Sequence, residues 1–201
     1  VTHHRYAVDG WGVGEVWVED GVLLLHELAG TVPGLSVETR HLTSARAAEP
    51  DASGHGRSRG STTLTPMGGG RAPTGTLPAE PSREENGFVP DLCRRFAEHL
   101  GGVPTRYDDV SVDESVFTPF QRELLLALRA VPWGDVVSYG ELAALAGRPG
   151  AARAAGTFCA ENQLSLVVPC HRVVAGNGIG GYGPSGVSLK RRLLALEGVE
   201  L

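Results

Sequence analysis

Apolar positions recur along this chain at two spacings. In GEVWVEDGVLLLHEL, residues 14–28, two short apolar-rich runs flank Asp20-Gly21, a pair suited to the tight turn that matches strand twist. The stretch predicts a hairpin opening a β-rich N-terminal unit. In FVPDLCRRFAEHLGG, Leu92, Phe96 and Leu100 fall at helical spacing and Gly101 can stop the helix, predicting a helix over 88–101. Cys93 lies in it and reads as an inert packing or surface thiol. Between these segments, from Ser44 to Asn86, periodicity disappears and Gly, Pro, Ser and Thr dominate. Such a segment cannot bury enough apolar area to offset its ordering entropy, which predicts a disordered insertion over 44–86.

Downstream the spacing is helical again. FTPFQRELLLALRAVPWG has Thr118 as an N-cap, Pro119 at the first helical position and Gln121 to complete a capping box. SYGELAALAG repeats the device with Ser138 and Glu141, and its short helix ends at Gly147. RPG makes a turn, and AARAAGTFCAEN predicts an alanine-rich helix, so the pattern is that of a helix-turn-helix. By pattern alone that is a weak sign of DNA binding. LSLVVPCHRVV predicts a buried strand broken at Pro169, and SLKRRLLALEGV predicts a closing amphipathic helix. No internal repeat is evident.

Composition narrows the class. With 41% hydrophobic and 20% charged residues among 201, the chain is a folded globular protein of one large or two small domains. No apolar run reaches the roughly 20 residues that span a bilayer, and VTHHRYAVDG lacks a signal-peptide core. A cytoplasmic protein without a membrane partner is expected, and Cys93, Cys159 and Cys170 suit a reducing compartment better than a disulfide framework. Met67 is the sole methionine, and the sequence leaves the true start codon open, an alternative start written as valine being one reading. The net charge of −5 argues at first against nucleic acid. It divides unevenly, however: residues 1–116 carry 10 Lys/Arg against 17 Asp/Glu, and residues 117–201 carry 8 against 6. A basic C-terminal half leaves anion binding open.

The candidate chemistry lies in VVPCHRVVAGNGIGGYG, where Cys170 and His171 are adjacent. Three readings compete: a buried structural cysteine, a zinc ligand, or a nucleophile whose proton a nearby imidazole removes. No C-x-x-C or H-x-x-x-H lies near it, which weighs against zinc. Neighbours on a regular strand point to opposite faces, so contact between Cys170 and His171 needs a bend or a bridging water. Pro169, unable to donate to a ladder, makes a bend plausible.

PCHRV after an apolar strand, with AARAAG upstream and GGYG downstream, resembles the methylated-DNA–protein-cysteine methyltransferases. These are the 6-O-alkylguanine-DNA alkyltransferases, which repair DNA by direct reversal. The resemblance covers 88–201, is weaker over the N-terminal hairpin, and has no counterpart for the insertion. It implies an α/β (α+β) fold with a ribonuclease-H-like β-rich domain over 1–110. A mostly helical domain with the helix-turn-helix would follow over 112–201.

The resemblance also implies roles. Cys170 takes the alkyl group of 6-O-methylguanine, and of 4-O-methylthymine, irreversibly and once. His171 accepts the thiol proton through a water, Glu197 orients His171, and Tyr139 donates to the departing guanine. Arg153 fills the stack of the flipped base, while Ala152 and Ala154 let its helix approach the DNA. Asn162 ties the helix-turn-helix to the acceptor loop. Tyr182 with Gly181 and Gly183 forms a pocket wall, and Pro169 and Arg172 support the site. The implied partner is double-stranded DNA carrying alkylated bases, bound by a monomer without cofactor or metal. Some relatives bind zinc through N-terminal cysteines, and no cysteine precedes Cys93 here. Gln163 departs from the family's usual proline, and Phe158 and Cys159 stand where small or aliphatic residues are common. Two other classes stay in view: a lesion-binding alkyltransferase-like protein, which would lack the acceptor cysteine, and a Cys/His/Glu hydrolase.

Overall fold

The computed structural model describes residues 1–30 and 83–201, the side chains of 83–86 excepted. Three antiparallel strands, β1 (Thr2–Val8), β2 (Gly12–Glu19) and β3 (Val22–Glu27), form a meander in the order β1-β2-β3. Asp20 and Gly21 both have positive φ (50° and 76°), the geometry of the tight hairpin turn expected there. β1 was not anticipated, because THHRYAV offers only Tyr6 as a strongly buried residue. Tyr6 faces Gly14 across the ladder and its ring fills the space of a side chain there: a Cβ on Gly14 would lie 2.3 Å from the ring. Only glycine fits.

The helix after the undescribed segment, α1 (Arg83–Leu100), begins five residues before the expected 88. Gly87 and Pro90 weaken the helical signal of its first turns, so periodicity registers only from Val89. Residues 83–86 therefore belong to a helix and not to the insertion; residues 44–82 of the expected insertion lie outside the described residues. Val89, Leu92, Phe96 and Leu100 bury one stripe, and Phe96 stacks on His26 of β3 at 3.9 Å between ring centres.

α2 (Pro119–Arg129) and α3 (Tyr139–Leu145) carry both expected capping boxes, Thr118 with Gln121 and Ser138 with Glu141. α3, the turn through Gly147 and Gly150 (both at positive φ), and α4 (Ala152–Ala160) form the helix-turn-helix. Phe158 is core, edge-on to Phe117. α5 (Gly186–Leu196) closes the chain.

The expected strand LSLVVPCHRVV is corrected. Only Val173–Val174 (β5) is a strand, paired in parallel with β4 (Val137–Ser138), while Cys170–Arg172 form a 3-10 turn. Leu166 adopts a left-handed φ of 70°, and the preceding loop takes its bonds from elsewhere. The His26 amide donates to the Gln163 carbonyl at 2.9 Å, and the His26 ring bonds the Ser165 carbonyl at 2.6 Å and the Tyr6 hydroxyl at 2.7 Å. An apolar run thus became a loop because β3 supplies its partners from outside the ladder. Near the other end of the chain, Arg192 of α5 lies over the Trp11 ring at 3.5 Å and donates to the Gly10 carbonyl at 2.7 Å. No described helix is long and apolar enough to cross a membrane.

Candidate active site

The 3-10 turn resolves the geometric problem posed by adjacent Cys170 and His171. It sends their side chains to different neighbours, and both are buried. The Cys170 Sγ faces a cavity of about 190 Å³ lined by Tyr139, Gly156, Cys159, Ala160 and the Gly181–Gly183 segment. Asn162 Nδ2 donates to Sγ at 3.0 Å and to the Val168 carbonyl at 2.9 Å, while its Oδ1 accepts from the Leu164 amide at 3.0 Å. Asn162 thereby fixes three points of the acceptor loop just beyond α4. The Gln163 carbonyl is held by the His26 amide of β3.

His171 turns the other way. Its Nε2–H donates to Glu197 Oε1 at 2.8 Å, whereas Nδ1 is buried with no hydrogen-bond partner in the protein. Glu197, just beyond α5, also takes Arg172 Nε on Oε2 at 2.9 Å and the other guanidinium nitrogen on Oε1 at 2.9 Å. The Gly134 amide donates to Oε2 at 3.2 Å. Arg172 further donates to the Val131 carbonyl at 2.7 Å, so it locks the carboxylate to the end of α2. Arg172 is a structural brace of the acid.

The electrostatics follow from burial. It pushes the Cys170 thiol up, and the Asn162 amide, the Tyr182 hydroxyl and the Lys190 ammonium only partly offset this. The resting sulfur is a thiol. Burial holds His171 down to about 4 despite the pull of Glu197, so the imidazole is neutral and Nδ1 is free to accept a proton. Burial also disfavours ionised Glu197, yet the nitrogens that His171, His99 and Arg172 turn towards it win and keep it well below the usual carboxylate range. Tyr182 has its hydroxyl buried close enough to Cys170 for each to perturb the other's ionisation, although no hydrogen bond is formed. Tyr139 is half-buried, and burial raises its phenol.

On the cavity's outer side stands α4. Arg153 and Ala154 are exposed and Ala152 is half-buried, while Ala155 and Phe158 face the core. Arg153 forms no ion pair with another described residue. It is not part of the cavity lining, so the structure separates Arg153 from the Cys170 group while placing both on the two ends of one short helix and its loop.

Sequence reasoning missed Lys190 and His99. Lys190 is fully buried and its Nζ donates to the Val173 and Gly181 carbonyls at 2.5 and 3.1 Å, pinning the pocket wall to β5. Burial lowers its pKa, and the two cavity thiols pull it back. Helical spacing puts Lys190 on the stripe of Leu193, Leu194 and Glu197, and His99 on that of Leu92 and Phe96; both signals were legible but outweighed by residue polarity. His99, His171 and Glu197 bring potential metal ligands within 4.8 Å of one another. A cation there would face the Arg172 guanidinium on the same carboxylate, so the donor set suits protons better than a metal.

A buried thiol thus stands at the foot of a cavity, backed by an imidazole–carboxylate pair and flanked by a helix-turn-helix. Comparison with known proteins narrows this. Residues 119–199 match the family "6-O-methylguanine DNA methyltransferase, DNA binding domain". The methylated-DNA–protein-cysteine methyltransferase of Methanopyrus kandleri is 42% identical over 125 residues, 61% of this chain and 92% of that protein. Its Salmonella typhimurium namesake is 57% identical over 82 residues, 40% of this chain; the chain matches about half (47%) of that relative's length. The structure of Mycobacterium tuberculosis OGT in complex with DNA superposes with a TM-score of 0.63 at 25% identity, covering 98% of this chain and 93% of that one. The chain belongs to the methylated-DNA–protein-cysteine methyltransferase family.

Proposed function

We propose that the protein repairs alkylated DNA by moving the alkyl group of 6-O-methylguanine, and of 4-O-methylthymine, onto Cys170. The observation that carries this reading is the Cys170 thiol at the cavity foot, with a neutral His171 and an ionised Glu197 behind it. The alkylated oxygen is inaccessible in stacked DNA, so the base must be extruded into the cavity. The sulfur then attacks the alkyl carbon, forming the S–C bond as the C–O bond breaks. The thiol proton passes through a water to His171 Nδ1, and the imidazolium is balanced by Glu197. The departing guanine takes the bond electrons and is stabilised by the Tyr139 hydroxyl. Arg153, with Ala152 and Ala154 allowing close approach, fills the vacated stack. The thioether product has no good leaving group, so each molecule acts once.

We further propose a monomer in the cytoplasm, with residues 1–110 and 112–201 as separate domains. The hydrolase reading would require turnover on acyl substrates, and the alkyltransferase-like reading would require binding without transfer.

Intact mass after incubation with DNA containing 6-O-methylguanine tests the reading. The expected result is a gain of one methyl in place of one hydrogen, confined to the Cys170 peptide. Cys170→Ser should abolish transfer and retain DNA binding that weakens as salt rises. Multiple turnovers, methyl on Cys159, or an unmodified Cys170 would overturn it.

A further inference from the structure

His99 is fully buried on the last turn of α1, a helix outside the matched DNA-binding region. Its Nε2 has no hydrogen-bond partner, and Glu197 Oε1, the same oxygen that receives His171 Nε2, faces it at 3.5 Å. The ring is held from three sides. Trp133 meets it edge-on at 4.7 Å, Tyr107 lies at 5.9 Å, and His171 lies at 6.0 Å in a T-shaped arrangement. The Tyr107 hydroxyl stands 3.3 Å from Nδ1. An anionic carboxylate facing Nε2 requires a proton on that nitrogen, because two lone pairs would otherwise oppose each other across buried space. Nδ1 is then the acceptor for the Tyr107 hydroxyl, whose single proton is shared between Nδ1 and the Arg95 carbonyl, each at 3.3 Å. The charged and titratable groups facing His99 are therefore Glu197, His171, Arg172 and Tyr107.

We propose that His99 is a positioning residue for the acceptor reaction: its Nε2–H restrains Glu197 Oε1, so that the carboxylate orients His171 without drawing the proton from it. This inference rests on the proposed transfer to Cys170. Glu197 gathers donors from Arg172, His171 and Gly134, and His99 supplies the remaining one near Oε1, on the helix packed behind the site. Each donor makes the carboxylate a weaker base. A weaker base pulls less on the His171 N–H, so His171 binds a proton at Nδ1 less tightly and stays neutral, ready to accept the thiol proton, down to a lower pH.

The test compares His99→Leu, His99→Gln and Tyr107→Phe in the full chain. Single-turnover methyl transfer at neutral pH should fall about tenfold in His99→Leu, because the carboxylate that orients His171 loses one of its restraints. The acid limb of its rate should move up by about one pH unit, as His171 regains proton affinity. His99→Gln keeps an N–H donor and should recover most of the rate and the original limb. Tyr107→Phe, which loosens the ring from its far side, should shift the limb less in the same direction. Nitrogen-15 NMR titration of His171 in the wild type and the variants reads the same shift without any transfer. Should the wild type transfer no methyl, the proposed function fails, and the NMR titration still judges the hold of His99 on Glu197. Leu and Gln variants that are equally slow would show packing alone and overturn the proposal. So would an unshifted His171 titration in His99→Leu.

Discussion

The two sides of Cys170 are built on opposite terms. Behind it, Glu197, Arg172 and His171 are buried, and the oxygens of Glu197 are filled by internal donors at 2.8 to 3.2 Å. In front, Tyr139 is half-exposed to the cavity, Arg153 and Ala154 point to solvent, and none of them is tied down by a described salt bridge. Interactions already satisfied in the resting protein cannot be spent on a ligand, whereas unsatisfied donors can. In the proposed transfer, the rear group therefore governs proton position and stability, and the front group governs what is bound and how the leaving group is met.

Substitutions on the front should act on transfer and leave stability alone. Tyr139→Phe should slow single-turnover transfer by about 10²-fold, in the range for removal of one charge-stabilising donor, with an unchanged melting temperature. Arg153→Ala should cost less, about tenfold in duplex DNA and much less on the free base, because only the duplex carries an unstacking penalty of a few kcal/mol. Rates measured on both substrates check this; equal losses on each would place Arg153 in the chemistry and break the division between front and rear.

The rear should announce itself through pH. His26, like His171, is held down to about 4 by burial, against an ordinary value near 6.5. A depressed histidine pKa means that the unfolded chain binds more protons between these limits, so stability is fully present above about pH 6.5 and lost as pH falls towards 4. For His26 alone this is on the order of 3 kcal/mol. Urea unfolding at pH 7, 5.5 and 4.5 should show midpoints that fall through this window, whereas a flat profile would mean that these rings are not held neutral. The smallest effect is expected from the segment that precedes α1: replacing residues 46–82 with a Gly/Ser linker should leave transfer rate and melting temperature nearly unchanged, as calorimetry and single-turnover assays would register.

Local chemistry was legible in the sequence wherever a few neighbouring residues decide the outcome. The Asp20-Gly21 turn and the Thr118 and Ser138 capping boxes all depend on contacts within three or four positions. The candidate group of Cys170, His171, Glu197, Asn162 and Tyr139 could be named from motifs. What escaped was set by distant partners. LSLVVPC has the apolar run of a buried strand, yet β3 takes its backbone bonds through His26, and Asn162 folds the rest around Cys170. β1 was hidden because its partner face is largely one tyrosine lying over Gly14. Lys190 and His99 were passed over because a polar residue on an apolar stripe reads as surface until its carbonyl or carboxylate partner is known.

The bond from Arg192 to the Gly10 carbonyl joins positions separated by 182 residues, and the His26–Ser165 bond spans 139. Chains are synthesised from the N-terminus at about 5–20 residues per second. The β1-β2-β3 meander therefore leaves the ribosome well before the segments that cover it, and Glu197 emerges after Cys170 and His171. Until then His171 lacks its carboxylate and the acceptor loop lacks its frame. On the proposed transfer to Cys170, the nascent chain carries that sulfur unarmed until α5 and Glu197 have docked.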